Sequence, residues 1–295
     1  MITTDYAYQS TALRTSRESP APSATPCRQR NSLLTALPMD DYLRLAPYLR
    51  TVVLEAGQVL AAQSGRPDQV YFPVSAVLSL QHAHDDGSIS EVASIGREGM
   101  FGATLFMDEA TALNQALVLQ GGPAYRITTD CALREFQRGG AFQSLVLWHL
   151  QSLFMQVAQT STCNRIHTVE QRLCRWLLGI FERGSGGELI ATHARLASVM
   201  GVRRESVTAA ASKLQDEGAV RYRRGRIAVL VPRVLEGRAC GCHTVLKQLF
   251  ERAPHGARTT AGHAPFGERR ISVPVPRSDL HARAQLRGTG VAAAL

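Results

Sequence analysis

The chain has 295 residues, 45% of them hydrophobic, and 33 Lys and Arg against 24 Asp and Glu leave a formal net charge of +9. That length and composition support a soluble globular protein with two full cores, and the basic balance points to an anionic partner. No apolar run approaches the roughly 20 residues of a membrane span, and MITTDYAYQS lacks a secretion signal, so a cytoplasmic protein without a membrane partner is expected.

Residues 1–30 are rich in Ser, Thr, Pro, Arg and Ala without a hydrophobic period and are expected to form a disordered extension. Leu33, Leu34 and Leu37, then Tyr42, Leu43, Leu45 and Leu49, predict short helices broken near Pro38 and Pro47. Strands are predicted at Thr51–Leu54, Gln58–Ala62, Val70–Phe72, Val77–His82, Ile89–Ser94, Gln115–Gln120 and Ala124–Thr128. Glu55-Ala56-Gly57, Asp85-Asp86-Gly87 and Gly121-Gly122-Pro123 supply turns between them, and a short helix is placed at Leu105, Phe106 and Met107. Many short strands at this spacing suit a double-sheet β-roll over residues 31–130.

Cys131 to Arg138 reads as a short helix stopped by Gly139-Gly140, followed by a long helix from Ala141. Phe142, Val146, Leu150, Leu153 and Val157 alternate steps of four and three and predict a parallel dimer seam within residues 131–165. Leu145, Phe154 and Ser161 widen the stripe, giving apolar surface for both a partner helix and the chain's own roll; a monomeric amphipathic helix with one core face is the alternative. After Asn164 the register changes to Val169, Leu173, Trp176, Leu177 and Ile180, with Arg165, His167, Glu170 and Arg172 at the junction either as relays or as solvated charge.

The most telling segment runs from Thr192 to Leu230. Thr192 is an N-cap before Leu196, Ala197 and Met200, Gly201 turns the chain, and Val207, Ala210, Ala211 and Leu214 form the inward stripe of a second helix. A strand, a basic turn and another strand complete a winged helix-turn-helix plan within residues 166–250. Arg203, Arg204, Glu205, Ser206, Thr208 and Ala209 are left outward. Arg donates twice to guanine, Glu accepts from cytosine and Thr bonds a base edge, while Arg221, Arg223, Arg224 and Arg226 around Gly225 suit phosphates. The expected partner is double-stranded DNA.

TCNRIH at Thr162–His167, GVRRESVT at Gly201–Thr208 and RYRRGRI at Arg221–Ile227 resemble the Crp/Fnr family of bacterial transcription regulators. QVYFPVSAVLSL from Gln69 and GREGMFG from Gly96 resemble its β-roll strands and glycine turn, and the likeness covers roughly residues 35–245. The resemblance implies an α+β chain: a cyclic-nucleotide-binding-like roll, a dimerisation helix and a C-terminal winged helix-turn-helix. It also implies a homodimer on near-palindromic operators, with RNA polymerase as a further partner and no enzyme activity. Arg204 and Glu205 fall where the family reads bases, and Ala209 stands where an arginine often reads a third. Ala103 replaces the glutamate that holds the cyclic AMP ribose, and Asn114-Gln115-Ala116 replaces Arg-Ser-Ala, so the chain is expected in a subgroup lacking the phosphate-binding residues. Gly102, Ala103, Thr104, Asn114 and Gln115 then remain as contacts for an uncharged effector, or the roll is purely structural.

No cofactor or metal is expected. Cys27 stands alone where a family iron–sulfur cluster needs several ligands, and Cys131, Cys163 and Cys174 read as small apolar residues. Cys240-Gly241-Cys242-His243 is spaced too tightly for the usual four-ligand zinc site and no second pair exists elsewhere, so an inert turn is expected there, with metal or redox sensing as the alternative. His82-Ala83-His84 with Glu91 is similar to the metal triad of cupin enzymes, which leaves a β-roll metal enzyme or small-ligand module as the alternative function. Val234, Leu235, Val245, Leu246, Leu249 and Phe250 allow a closing helix, and residues 251–295 are expected to be a disordered basic tail.

Overall fold

A computed structural model describes residues 30–86, 88–107, 114–184, 186 and 188–252. Nearly all of the expected N-terminal extension and of the expected basic tail therefore lies outside the described residues.

Helices α1 (Ser32–Ala36) and α2 (Met39–Leu45) open the fold. Asn31 caps α1 by accepting from the amides of Leu33 and Leu34, while its own amide group donates to the carbonyls of Pro73 and Gly99, both at 2.9 Å. This fully buried side chain therefore meets its hydrogen-bonding needs while tying the first helix to the roll.

Strands β1 (Arg50–Leu54), β2 (Val59–Ala61), β3 (Gln69–Pro73), β4 (Val77–Ala83), β5 (Ile89–Ile95), β6 (Gln115–Gln120) and β7 (Gly122–Thr128) follow. They form two antiparallel sheets with orders β1-β7-β3 and β2-β6-β4-β5. Val52, Leu54, Tyr71, Leu78, Ile95, Val118 and Ala124 fill the space between the sheets. The roll's other apolar surface, with Val70, Phe72 and Ile127, packs against Leu34, Tyr42 and Leu45 and against the helices that follow. A 3-10 turn at Ala103–Phe106 stands in for the expected short helix, beginning two residues earlier.

Helix α3 (Thr129–Gln137) ends before Gly139 and Gly140, whose φ of +81° and +82° makes the reversal cheap only for glycine. Helix α4 (Ala141–Ile166) then packs its first turns against the roll, and α5 (Val169–Arg183) restarts behind a Thr168–Gln171 capping box.

The stripe on α4 divides differently from the expected seam. Phe142, Leu145 and Val146 are buried in the chain's own roll. The apolar face left open carries Leu147, Phe154 and Val157, at 44%, 70% and 36% exposure. With half-buried Leu150 and exposed Ser161 these residues repeat at steps of three and four. The helix thus has the two apolar surfaces its widened stripe predicts, but Phe142 and Val146, expected in the seam, lie on the roll side.

The C-terminal part contains β8 (Glu188–Ile190), α6 (His193–Met200), α7 (Arg204–Asp216), β9 (Val220–Arg223), β10 (Arg226–Val229), α8 (Pro232–Arg238) and α9 (Cys242–Glu251). Its sheet has the order β8-β10-β9. Strand β8 was not anticipated. Its core of Leu173, Trp176, Leu196, Val207, Leu214 and Ile227 takes in Val77, Leu117 and Leu119 from the roll. Roll and winged helix thus share buried surface.

Candidate nucleic-acid interface

Local signals build the helix-turn-helix as the sequence predicts. The Thr192 hydroxyl caps α6 by accepting from the Arg195 amide at 3.1 Å. Gly201 ends α6 at φ +61° and ψ +44°, and Val202 N donates to the Ala197 carbonyl at 3.0 Å. Helix α7 then buries Val207, Ala210, Ala211 and Leu214 against Leu196, Ala197 and Met200.

That packing turns the start of α7 outward. Arg203, Arg204, Glu205 and Ser206 are all exposed, and Arg203 and Arg204 form no ion pair among the described residues. Thr208 is more engaged: its hydroxyl bonds the Arg204 carbonyl at 3.0 Å and lies 3.1 Å from His193 Nδ1. His193 stacks on Tyr222 with ring centroids 4.1 Å apart, and burial followed by the nearby Arg204 charge pulls its pKa down.

The wing is a two-residue hairpin in which Arg223 pairs with Arg226. Arg224 and Gly225 turn it with φ of +48° and +73°. Both signs suit the right-handed twist of the strands, but only Gly225 adopts the conformation without cost. Arg221 and Arg226 lie 3.5 and 4.0 Å from Glu188 and remain more than half exposed. Arg223 and Arg224 are exposed and form no ion pair among the described residues. The helix start and the wing together present one largely unneutralised cationic surface.

The helix-turn-helix rests on the roll through specific bonds. Ser198 Oγ donates to the Ile89 carbonyl at 2.8 Å and accepts from the Ile89 amide at 3.0 Å, closing the free edge of β5. Trp176 Nε1 donates to Glu91 at 2.8 Å, and Arg183 bonds the Ser94 carbonyl and Glu98 at 3.0 and 3.1 Å. Beside this contact lies a cavity of about 1310 Å³ lined in part by Glu91, Glu98, Arg175, Trp176 and Arg183.

None of the five expected effector residues lines that cavity. Gly102, with φ of +100°, opens the 3-10 turn, Ala103 is buried and Thr104 is exposed. Asn114 and Gln115 are half-buried at the start of β6, where Gln115 donates to Gln81 at 3.1 Å. Residues 108–113, between the two groups, lie outside the described residues.

The cupin-like triad is not assembled, for a reason of strand parity. Gln81 pairs with Glu91 and His82 with Ser90, so Glu91 faces away from both histidines. His84 Nε2 lies 2.9 Å from Ser90 Oγ, while Glu91 is bonded to Ser79 at 2.5 Å and to Trp176.

Cys163 is buried, as expected, but Cys240-Gly241-Cys242 does have a second pair beside it: the fold brings Cys163 and His167 there, whereas His243 pairs with Glu182. The Cys240 thiol beside Cys163 favours a thiolate at Cys163 and holds its pKa down, while burial pushes Cys242 up.

Residues 171–238 match the Crp-like helix-turn-helix domain. A comparison with curated proteins finds no match. Among solved structures, a Crp/Fnr-family transcriptional regulator from Eubacterium rectale is similar over 70% of this chain and 96% of its own, at 17% identity and a TM-score of 0.53. FixK2 from Bradyrhizobium japonicum matches 65% of this chain and 98% of its own at 12% identity and a TM-score of 0.53. The c-di-GMP-responsive global regulator CLP of Xanthomonas campestris matches 65% and 99% at 16% identity and a TM-score of 0.51. The fold is that of Crp/Fnr regulators, and its C-terminal part is a Crp-like helix-turn-helix domain.

Proposed function

We propose that this chain is a sequence-specific DNA-binding transcription regulator of the Crp/Fnr type, cytoplasmic and without catalytic activity. The observation that carries the reading is the exposed Arg203, Arg204 and Glu205 at the start of α7, beside the wing arginines Arg223 and Arg224. Arg204 and Glu205 read base edges in the major groove, Arg203, Ser206 and the wing hold phosphates, and Thr208 chiefly braces the helix start. Arg224 supports this division, because an arginine in a left-handed conformation is costly and gains from a contact only its charge can make.

The exposed Leu147, Phe154 and Val157, with half-buried Leu150 and exposed Ser161 at the same spacing, support a second copy of this chain as the partner of α4. A parallel pair places two recognition helices about 34 Å apart on a near-palindromic operator. Contact with RNA polymerase follows from the family likeness. Cyclic AMP is not the effector, since Ala103 and Asn114-Gln115 offer no cation for its phosphate. Selection of bound duplexes from a random pool tests the reading: enrichment of a two-fold symmetric sequence supports it, and the absence of any enriched sequence at low salt overturns it.

A further inference from the structure

Cys163, His167, Cys240 and Cys242 have their ligand atoms within 4.8 Å of one another. Two of the separations are 3.5 Å, between the sulfurs of Cys163 and Cys240, and 3.6 Å, between Cys242 Sγ and His167 Nδ1. Tetrahedral zinc with bonds of about 2.3 Å to sulfur and about 2.0 Å to nitrogen requires edges of roughly 3.5–3.8 Å. We propose that these four side chains form a Cys₃His site for a structural Zn²⁺ ion that clamps the end of α4 to the start of α9.

The local fold explains why the four converge. Cys163 and His167 are four residues apart, so they share one face of the last turn of α4, where His167 is the cap. Cys240 and Cys242 flank Gly241, the N-cap of α9. The three cysteines form a buried cluster of their own, separate from the three larger cores. So small a cluster has little apolar area to hold two helices together, whereas a zinc ion supplies several bonds at one point.

The surroundings match the site. Gln159 Nε2 donates to Cys242 Sγ at 3.0 Å, the contact a charged thiolate needs from its second layer of neighbours. Arg172 and Arg175 lie near enough to interact electrostatically with Cys163, and the Nε atom of each is buried without a hydrogen-bond partner. Three thiolates and a neutral imidazole around Zn²⁺ carry a net charge of −1, which these guanidinium groups offset. The donor set of three sulfurs and one ring nitrogen favours zinc over magnesium or calcium, which take oxygen. A Cys163–Cys240 disulfide is the competing arrangement. It requires the sulfurs to close from 3.5 Å to about 2.05 Å and leaves Cys242 and His167 without a role.

The clamp lies where the dimer-helix face ends and the DNA-binding part begins, and its detection does not depend on DNA binding. The full chain is purified without chelator and its metal measured by mass spectrometry, giving about one zinc per chain. Cys163→Ser and Cys242→Ser lose it, and Cys131→Ser, outside the cluster, keeps it. Cobalt exchanged into the wild-type chain gives thiolate-to-metal charge transfer and the intense visible bands of a tetrahedral site, a readout that stands if a serine variant fails to fold. Unchanged metal in the Cys163→Ser chain overturns the proposal. So does a wild-type chain that is zinc-free as purified and whose cobalt form lacks sulfur charge transfer. A chain whose Cys163 and Cys240 are recovered as a disulfide under reducing purification also overturns it.

Discussion

Trp176 on α5 donates its indole N–H to the carboxylate of half-buried Glu91 on β5 at 2.8 Å, joining the helix-turn-helix to the roll beside the cavity that both residues line. Burial raises the Glu91 pKa, against the opposing pull of Ser79, Trp176, Arg183 and Arg175; Arg195 on α6 also lies within its electrostatic reach. The folded protein therefore holds this proton more tightly than the unfolded chain. The resulting stability is complete below the ordinary carboxylate range and is lost as pH rises through the raised folded value. Glu91→Gln should keep an acceptor for Trp176, flatten this pH dependence and melt higher than wild type at neutral pH. Thermal unfolding across the range checks this, and an unaltered pH profile contradicts it.

Arg204→Ala should cost about 1–3 kcal/mol of binding to the selected operator and relax preference at one base pair. Arg224→Gly is the informative wing variant, because glycine accepts the φ of +48° that strains the arginine. It should leave the fold as stable as wild type or more so. It should also weaken DNA binding evenly across sequences and reduce the slope of log affinity against log salt by about one. Anisotropy titrations at several salt concentrations, beside urea melts, separate the two effects.

Much of this site was legible in the sequence because its signals are local. Thr192, Gly201 and the inward stripe of α7 fix the two helices within a few residues of one another, and the seven roll strands emerge from alternation bounded by turn residues. Strand β8 escaped because Glu188–Ile190 is too short to show a period. The Cys₃His cluster escaped because Cys163 and Cys240 are 77 positions apart, so only the fold reveals that the two pairs meet. The sequence shows that α4 serves two faces, but Phe142 and Val146 fall on the roll side rather than in the expected seam, because spacing alone does not say which side the roll occupies.

Phe154, at 70% exposure, lies at the centre of the open face. Phe154→Glu should convert a dimer into a monomer, since two carboxylates would face each other across the seam. Light scattering reads the mass directly. Leu153→Glu is a poorer test, because half-buried Leu153 also packs against the roll.

Gly99 in the glycine-rich turn faces His149 of α4, and a Cβ there would stand 2.3 Å from the imidazole Cε1. His149 is buried with Nε2 against the Met100 backbone, so it has nowhere to retreat without breaking that contact. Gly99→Ala should destabilise the fold by about 1–3 kcal/mol, the usual cost of overpacking. Urea denaturation provides the measurement.

The most direct measurement is the ratio of affinities for the selected operator and for a scrambled duplex of equal length at one salt concentration. A regulator that reads bases through Arg204 and Glu205 should show a ratio of roughly 10³ or more, collapsing toward one when both residues are replaced by alanine. A wild-type ratio near one, with binding governed by salt alone, would contradict base reading by α7.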